Sequence, residues 1–317
     1  MLSIIVPVYN EARGLEELLA EIGRVAGRHA LAAEIIFVDD GSTDKSWNVV
    51  RQMARADERV RGIRLRRNFG KAAALSAGWR AARGELVMTL DADLQDDPEE
   101  IPRFLAEINK GFDVVSGWKM IRRDSWQRVL ASRVFNYLVS RLTGVRLHDH
   151  NSGMKCYRLA VVKDIRLYGE LHRFIPVLAV ARGWRVGEIN VNHRKRKYGR
   201  SKYGVRRFVK GFLDLLTVKF LTGFKQRPQH LLGTMGLFFF LAGLVVLLML
   251  TGWWVVSRLD GDGLNDIHLH ERALFYYAIT SLLFGAQFMS VGLLAELVAA
   301  RQGDDVDAYS VAEQIGS

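Results

Sequence analysis

The stretch that decides the fold is ELVMTLDADLQ, residues Glu85 to Gln95. An apolar run that stops abruptly at polar residues is typical of a buried β-strand that ends at a loop. Alternate side chains of an extended chain share a face, so we expect Asp91, Asp93 and Gln95 to direct three oxygen atoms at one point. Such oxygens suit Mg²⁺ or Mn²⁺, which also bind substrate phosphates. The stretch predicts a metal-diphosphate site, and the alternative is a solvated acidic turn before a helix that Asp97 caps.

Two earlier stretches have the same form, an apolar run that ends at polar residues and leads into a helical pattern. They are SIIVPVYNE (residues 3–11) and IIFVDDGS (residues 35–42). Strands that alternate with helices predict an α/β fold with a mostly parallel sheet. Because the carboxyl ends of parallel strands meet at one edge, where ligands bind, we expect the three polar clusters to line one site.

A dinucleotide-binding Rossmann domain opens in the same way, but it needs a glycine fingerprint after its first strand. That fingerprint is absent here, and Pro7, Tyr9 and Glu11 offer a ring face and a carboxylate instead. Asp40 can accept a hydrogen bond from the imide of a base. The sequence therefore favours a nucleotide other than NAD.

Four motifs, in this order and spacing, resemble the inverting family 2 glycosyltransferases of GT-A fold. They are PVYNE (residues 7–11), VDDGS (38–42), RNFGK (67–71) and DADLQ (91–95). The closest resemblance is to the polyprenyl-phosphate sugar transferases, which include dolichol-phosphate mannose synthases and bactoprenol glucosyltransferases. It implies a nucleotide sugar donor, a polyprenyl phosphate acceptor, Mg²⁺ or Mn²⁺, and a set of substrate-binding residues. These are Pro7, Tyr9, Glu11, Asp39, Asp40, Asn68, Lys71, Asp91, Lys119 and Ser201, with Asp91, Asp93 and Gln95 at the metal.

The resemblance also assigns catalytic roles to cations on the acceptor side, beside Asp93 at the donor. They are Arg122, Arg133, Arg200 and Lys202, with Arg194 and Arg196 as second choices for phosphate contact. The family usually has arginine where this chain has Lys119. An arginine side chain can donate two parallel hydrogen bonds to a phosphate, whereas a lysine side chain acts as a point charge. For Arg133 the alternative is a surface arginine whose stem covers apolar neighbours. Two further segments, residues 149–155 and 169–174, match parts of the family that border the sugar and acceptor pockets.

The charge of the chain supports anionic substrates. Lys and Arg number 45 against 34 Asp and Glu, and beyond Leu231 there are 3 basic and 9 acidic residues, so the excess basic charge lies in the front part. Nucleic acid is the common partner of such charge, but no reader motif or aromatic platform accompanies it. Anionic lipid and phosphate substrates explain the charge better. The single Cys156 excludes an internal disulfide, and no zinc-ligand spacing is present.

Two long uncharged stretches, Leu231 to Val256 and Ala273 to Leu294, follow the basic part. At about 1.5 Å per residue each helix is long enough to cross a hydrocarbon core of roughly 30 Å. The alternative is a pair of buried helices in a large soluble core. The segment Val205 to Phe224 repeats apolar residues at spacings of three and four, which predicts an amphipathic helix in the membrane interface or, alternatively, one that faces a protein core.

Orientation follows from the positive-inside rule. Lys219, Lys225 and Arg227 precede the first span and Arg301 follows the second, whereas the connection is rich in acids. We therefore expect a multi-pass protein of the cytoplasmic (inner) membrane with its catalytic domain and termini in the cytoplasm and no signal peptide. The expected divisions are a GT-A domain (residues 1–203), an interfacial linker (204–230), a transmembrane hairpin (231–300) and a cytoplasmic tail (301–317). Assembly into a homo-oligomer through the membrane helices is compatible with the resemblance.

The expected reaction is an in-line attack of a lipid phosphate oxygen on the anomeric carbon, with inversion. A phosphate monoester has a second pKa near 6 and is already anionic, so cations that position it replace a general base. The Ser-Lys-Tyr segment (residues 201–203), the basic interfacial helix and the paired spans resemble those of bactoprenol glucosyltransferases. That resemblance implies UDP-glucose and undecaprenyl phosphate as the substrates, and GDP-mannose or an aminoarabinose derivative are the alternative donors. A processive synthase lacks support because no Gln-x-x-Arg-Trp motif occurs. A catalytically silent membrane scaffold is the alternative from another class, and the intact Asp-x-Asp pair argues against it.

Overall fold

The structure is a computed structural model that describes residues 1–120, 126–194, 197–198, 214–215, 217–218, 228–259, 269–301 and 311–315. The chain divides into two compact units. The first contains residues 1–222 and 307–317, and the second contains residues 223–306.

Eight strands of the first unit form a single sheet. In chain order they are β1 Leu2–Val8, β2 Ala33–Asp39, β3 Val60–Leu65, β4 Leu86–Thr89, β5 Val114–Trp118, β6 Lys155–Arg158, β7 Val186–Asn190 and β8 Val311–Ile315. Across the sheet their order is β7-β5-β6-β4-β1-β2-β3-β8. β4, β1, β2 and β3 are parallel neighbours, as are β5 and β7, whereas β6 and β8 run antiparallel to the strands beside them. The predicted α/β fold with a mostly parallel sheet is confirmed.

Helices connect the strands of the first unit. They are α1 Leu15–Arg28, α2 Ser46–Ala56, α3 Lys71–Ala81, α4 Ile101–Asn109, α5 Trp126–Thr143, α6 Leu159–Asp164 and α7 Ile175–Ala181. Short 3₁₀ turns precede α4 (Pro98–Glu100) and α7 (Leu171–Phe174). Asp97 accepts a hydrogen bond from the backbone N–H of Glu99 at 3.1 Å, so it caps this helical segment as predicted.

The core lies on both faces of the sheet because side chains alternate along each strand. In β1, Ile4 and Val6 pack on one face with α1, while Ile5 packs on the other face with α3. On α1 the buried residues recur every three or four positions, which is the period of a helix with one apolar face. The strand ends are thus fixed by a sheet buried on both sides.

The C-terminal segment, expected to be part of a tail, supplies strand β8 (Val311–Ile315). β8 pairs antiparallel with β3, and Arg64 lies opposite Glu313. Ile315 packs against the core next to Gly62, where a Cβ would lie 2.9 Å from its Cγ1. Residues 311–315 therefore belong to the first unit, where they cover an edge strand that would otherwise expose unpaired N–H and C=O groups.

The second unit contains two long apolar helices, α8 Pro228–Leu259 and α9 Ala273–Arg301. Leu232–Leu259 and Ala273–Ala295 are long and apolar enough to cross a membrane, with mean hydropathies of 2.4 and 1.7. Their large apolar side chains are mostly exposed, unlike those of a buried core helix. The helices pack closely, since a Cβ on Gly236 would lie 2.7 Å from the carbonyl oxygen of Gly285. The predicted pair of C-terminal apolar helices is confirmed.

Four residues of the predicted interfacial helix, 214, 215, 217 and 218, are described, and all four are helical. Leu215 and Val218 are fully buried in the hydrophobic core of the first unit. At this turn the core-facing alternative is therefore the correct one, because both apolar side chains are covered by protein. The rest of Val205 to Phe224 lies outside the described residues.

Candidate active site

The loops after β1 and β2 are joined by hydrogen bonds from both sides. The side-chain oxygen of Asn10 accepts from the backbone N–H of Thr43 at 2.8 Å, and the backbone N–H of Asn10 donates to Ser42 at 2.9 Å. Asn10 adopts a left-handed backbone conformation with φ of 55°, which asparagine tolerates better than most residues. These bonds hold Tyr9 and Glu11, which are partly buried, at the end of β1. The predicted meeting of the first two clusters is confirmed.

Asp40 anchors the loop that follows β3. Its two carboxylate oxygens accept from the backbone N–H groups of Phe69 (2.7 Å) and Gly70 (2.9 Å). Burial raises the pKa of Asp40 to about 6, even though these two bonds favour the charged form. Since both oxygens serve the backbone and the residue is 4% exposed, the prediction that Asp40 receives the base is not supported. Its contacts instead place Asn68 at the surface beside the β2 loop.

Asp39 has the acceptor that Asp40 lacks. It is fully buried, and its Oδ1 accepts from the backbone N–H of Ser42 at 3.2 Å. Its Oδ2 has no hydrogen-bond partner among the described residues and lies 3.4 Å from Nε of Arg64. Burial raises the pKa of Asp39, and Ser42 and Arg64 oppose this. A buried acceptor without a donor is costly, so Asp39 is suited to an imide N–H of a base.

The Asp-x-Asp motif lies on a turn, not on a strand. β4 ends at Thr89, and Leu94 has a positive φ of 60°. Within the turn, the backbone N–H of Gln95 donates to Asp93 at 3.2 Å, and that of Asp91 donates to Asp96 at 3.1 Å. The expectation that an extended chain aligns Asp91, Asp93 and Gln95 on one face is therefore wrong, because these local bonds fold the chain before the third residue.

Lysine side chains surround Asp91. Lys71, at the start of α3, forms an ion pair with it, which joins the RNFGK motif to the DADLQ motif. Lys119, at the end of β5, lies 2.9 Å from the buried carboxylate of Asp96. Burial opposes the charge of Asp91, but Lys71 and Lys119 outweigh it and hold the pKa of Asp91 below its usual value. Lys71 and Lys119 thus bring cationic groups to the turn, which binding of a diphosphate requires.

Lys155 is a further cation that the sequence analysis did not single out. It is 3% exposed and donates to the carbonyl oxygen of Ser152. Burial, together with the nearby charge of Lys71, lowers the pKa of Lys155 to about 8. The loop before it passes so close to Asp91 that a Cβ on Gly153 would lie 2.3 Å from Oδ2 of Asp91. No local pattern reveals this lysine, because β6 brings it to the site from more than sixty residues away in the sequence.

The residues around the turn fit a divalent cation. Asp91 and Asp93 supply hard oxygen donors, and Asp91 already holds a cationic group, that of Lys71. Among the residues that the structure describes, no three His, Cys, Asp or Glu side chains form a metal cluster. The side-chain amide of Gln95 donates to the carbonyl oxygen of Arg194 at 3.4 Å, so its part as a ligand stays a prediction.

The segment before the predicted phosphate-binding motif is fastened to the Asp-x-Asp turn. Arg194 bonds Glu21 at 2.7 Å and Asp97 at 2.6 Å, and its backbone N–H donates to the carbonyl oxygen of Gln95 at 2.9 Å. Lys197 bonds Glu17 of α1 at 2.7 Å. Arg194 therefore joins protein elements, and a phosphate contact for it is not supported. Other predicted cations lie outside the described residues: Arg122, Arg196, Arg200 and Lys202, together with Ser201.

A cavity of about 510 Å³ lies between the end of β5 and α5. The predicted residues Arg133 and Lys119 line it together. The rings of Trp118 and His148 stack at 4.0 Å between centroids, with their planes 16° apart, and form another part of its lining. Glu188 of β7 holds this wall by accepting from Nδ1 of His148 at 2.8 Å and from the backbone N–H of Asp149 at 2.9 Å. The side chain of Arg133 is exposed, so it is available to an anionic ligand.

The sequence matches the family described as Glycosyl transferase family 2 over residues 3–166. Among characterised proteins it is similar to a dodecaprenyl-phosphate galacturonate synthase of Rhizobium johnstonii, with 38% identity over 99% of this chain and 92% of that protein. It is also 37% identical to an undecaprenyl-phosphate 4-deoxy-4-formamido-L-arabinose transferase of Edwardsiella ictaluri, over 95% of this chain and 90% of that protein.

Among solved structures, the fold is similar to glucosyl-3-phosphoglycerate synthase from Mycobacterium tuberculosis. The complex of that protein with Mn²⁺ and uridine-diphosphate-glucose has a TM-score of 0.55 and 18% identity, and the match covers 69% of this chain and 78% of that chain. The UDP complex of the same protein also has a TM-score of 0.55. At this identity the similarity concerns the fold, and it agrees with the predicted GT-A architecture.

Proposed function

The chain belongs to glycosyl transferase family 2, and we propose that it transfers a hexose from a UDP-sugar to polyprenyl phosphate at the cytoplasmic face of a membrane. The product would be a sugar joined to the lipid phosphate with inverted anomeric configuration. Relatives at 38% and 37% identity, matched over nearly their whole length, carry names that describe transfer to dodecaprenyl and undecaprenyl phosphate. The family and these relatives together support an enzyme of the polyprenyl-phosphate type.

The observation that carries the proposal is the juxtaposition of an acceptor for a base and a set of cations at one edge of the sheet. Asp39 keeps a buried oxygen without a hydrogen-bond donor at the end of β2. Lys71 and Asp91 pair at the end of β4, the second strand along from β2. This spacing suits a nucleoside diphosphate that lies across the strand ends, as ligands do in open α/β sheets.

Asp91 and Asp93 would hold Mg²⁺ or Mn²⁺ at the diphosphate. The ion supplies Lewis acidity that neutralises the leaving nucleoside diphosphate. Lys71 adds positive charge at the same point, and Lys119, held by Asp96, adds more from the side of β5. These side chains would orient the diphosphate for the attack of the acceptor.

The acceptor phosphate would enter the cavity lined by Lys119 and Arg133. A phosphate monoester is anionic near neutral pH, so it needs no base to remove a proton. Arg133 would donate charge-assisted hydrogen bonds to it, and the stacked rings of Trp118 and His148 offer an apolar wall. The acceptor phosphate would also be bound by the other residues predicted to contact it, which are Arg122, Arg200, Ser201 and Lys202.

Helices α8 and α9 would cross the membrane and keep the enzyme at its lipid substrate. Two crossings return the chain to the side on which it started, which agrees with the assignment of residues before α8 and after α9 to the same compact unit. The charge distribution around the spans supports the cytoplasm as that side, where nucleotide sugars are made. Anionic lipid near the basic segment 182–227 would add to the attachment.

The sugar is a separate choice. UDP-glucose is the first candidate from the resemblance to bactoprenol glucosyltransferases. A UDP-hexuronic acid is the second, because the relative at 38% identity is named for galacturonate. GDP-mannose and a formamidoarabinose donor complete the set.

The test is an incubation of the purified full-length protein with polyprenyl phosphate, Mg²⁺ and one nucleotide sugar at a time. The donors are UDP-glucose, UDP-galacturonate, GDP-mannose and a UDP-formamidoarabinose, and mass spectrometry of the lipid fraction identifies the product. A glycolipid formed by the wild type and absent with Asp93→Asn supports the proposal. Free sugar and UDP without a glycolipid would contradict transfer to the lipid phosphate.

A further inference from the structure

We infer that Glu313, on the C-terminal strand β8, is a positioning residue for the binding of the donor base. It touches no substrate in the proposed site and acts through Trp47 and Arg64 on Asp39. The inference rests on the proposed function, because it takes Asp39 as the acceptor of the base. It assigns the last strand of the chain a role in substrate affinity beyond covering a sheet edge.

The first step is the contact between β8 and helix α2. One carboxylate oxygen of Glu313 accepts from Nε1 of Trp47 at 3.1 Å and from the guanidinium of Arg51 at 3.2 Å. The Trp47 side chain belongs to the core and is 2% exposed. A buried indole N–H needs an acceptor, and β8 supplies it, so the orientation of this ring depends on Glu313.

The second step leads from Trp47 to Arg64. The guanidinium carbon of Arg64 lies 5.9 Å from the centre of the Trp47 ring, within the range of a cation–π contact. Arg64 also lies directly opposite Glu313 in the antiparallel pair β3–β8, so the two side chains share a face of the sheet. Glu313 therefore fixes the orientation of the Trp47 ring beside Arg64.

The third step reaches the candidate base site. Nε of Arg64 lies 3.4 Å from Oδ2 of Asp39, the buried oxygen without a hydrogen-bond partner among the described residues. Arg64 therefore sets how strongly this oxygen attracts an incoming N–H. If Arg64 moved onto Asp39 it would compete with the base, and if it moved away it would leave the carboxylate without a compensating charge. Either displacement weakens binding of the base.

The expected effect of Glu313→Ala follows from this chain of contacts. Loss of the hydrogen bond to Trp47 frees the ring beside Arg64 and should weaken UDP binding by about three- to tenfold, the range of one hydrogen bond. The same factor should appear in KM for the donor. Contacts to the base are alike in the ground state and the transition state, so kcat at saturating donor should stay within about twofold. KM for polyprenyl phosphate should not change.

The experiment uses the full-length protein in detergent. Calorimetric titration with UDP in the presence of Mg²⁺ is carried out on the wild type, Glu313→Ala, Glu313→Gln and Gln314→Ala. Glu313→Gln keeps a carbonyl oxygen for Trp47 and should bind UDP within about twofold of the wild type. Gln314 is exposed on the same strand and its side chain points to the other face, so Gln314→Ala is the matched control and should bind as the wild type does.

A double-mutant cycle with Arg64→Ala tests the route of the effect. If Glu313 acts through Arg64, Glu313→Ala should not weaken UDP binding further once Arg64 is removed. The inference is overturned if Glu313→Ala binds UDP like the wild type, if it raises both KM values equally, or if its effect is undiminished without Arg64. Failure of the wild type itself to bind UDP would instead contradict the proposed function, so the two failures are distinguishable.

Discussion

The ammonium nitrogen of Lys119 lies 2.9 Å from Oδ1 of Asp96, a carboxylate that is 2% exposed. The other oxygen of Asp96 accepts from the backbone N–H of Asp91. The pair therefore fixes the turn that carries the Asp-x-Asp motif, and Asp96 raises the pKa of Lys119 although burial opposes its charge. A lysine at this position has a structural partner of its own in addition to any contact with substrate.

Replacing Lys119 by methionine should destabilise the protein by about 3 kcal/mol, because it leaves Asp96 buried without its partner. Chemical unfolding in detergent measures this. The control is Lys110→Met, which removes an exposed ion pair with Glu107 and should cost less than about 1 kcal/mol. The double variant Lys119→Met with Asp96→Asn should recover part of the loss. Equal costs for Lys119→Met and Lys110→Met would contradict a buried pair.

Asp93→Asn should lower kcat by roughly a hundredfold or more, since it removes a ligand from the ion that neutralises the leaving group. The free energy of unfolding should change little, because Asp93 lies on a partly exposed turn. Removal of divalent ions with EDTA should reproduce the loss in the wild type, and Mn²⁺ should reverse it. Near-normal rates in EDTA would show that the turn does not serve a metal.

Arg133→Ala should raise KM for polyprenyl phosphate by about tenfold or more and leave KM for the donor nearly unchanged, because a charge-assisted phosphate contact is lost from one substrate only. Arg141, two turns further along α5 and equally exposed, does not line the cavity. Arg141→Ala is therefore the matched control in steady-state assays with either substrate varied. If Arg133→Ala raised KM for both substrates, the assignment of Arg133 to the acceptor site would be contradicted.

The raised pKa of Asp40 should make its contribution to stability depend on pH. Its pKa is about 6 in the folded protein and 3.8 in the ordinary carboxyl, so the folded state binds the proton more tightly than the unfolded state. The stability gained from this proton is complete below about pH 4 and is lost as pH rises through 6. The change amounts to about 2 to 3 kcal/mol.

Asn cannot titrate, so a comparison with Asp40→Asn separates the pH-dependent contribution of Asp40 to stability from that of other ionisable groups. The difference in unfolding free energy between the wild type and Asp40→Asn, measured from pH 4 to pH 7, should shift against the wild type as pH rises. A difference that is flat over this range, or that shifts toward the wild type, would show that Asp40 does not bind its proton more tightly in the folded state.

The membrane orientation can be tested with single cysteines at described, exposed positions. In a Cys156→Ser background, His270→Cys in the connection between α8 and α9 should react with an impermeant thiol reagent in intact spheroplasts. Gln314→Cys on β8 should react only after lysis. The reverse pattern would put the active site on the side without nucleotide sugars.

Sequence patterns predicted the parts of the site that depend on strand ends. The clusters after β1, β2 and β4 meet because these strands are parallel neighbours, which alternating strand and helix patterns foretell. The two long apolar helices could also be predicted from the sequence, since their length and their lack of charged residues are enough to identify them. Both features follow from periodicity and composition, and neither needs knowledge of a distant contact.

The parts that were missed depend on contacts between distant residues. Asp40 was assigned to the base, but its oxygens bind backbone groups about thirty residues later. The turn at Asp91 was read as extended because nothing in ELVMTLDADLQ marks Leu94 for a positive φ. The stacking of Trp118 on His148 and the burial of Lys155 arise from strand order, which local sequence does not encode. β8 is short, lies beyond two apolar helices and has a polar centre, so it had no clear strand signal.

The position of β8 at the end of the chain has a consequence for synthesis. Its partner β3 leaves the ribosome about 250 residues earlier, which at 5 to 20 residues per second is roughly 12 to 50 seconds. During that time the hydrogen-bonding groups on the outer edge of β3 have no strand to pair with, and such an edge invites pairing with other chains. We therefore expect the nascent protein to be most prone to aggregate while its two long apolar helices are being made, because the edge of its sheet is still open at that stage.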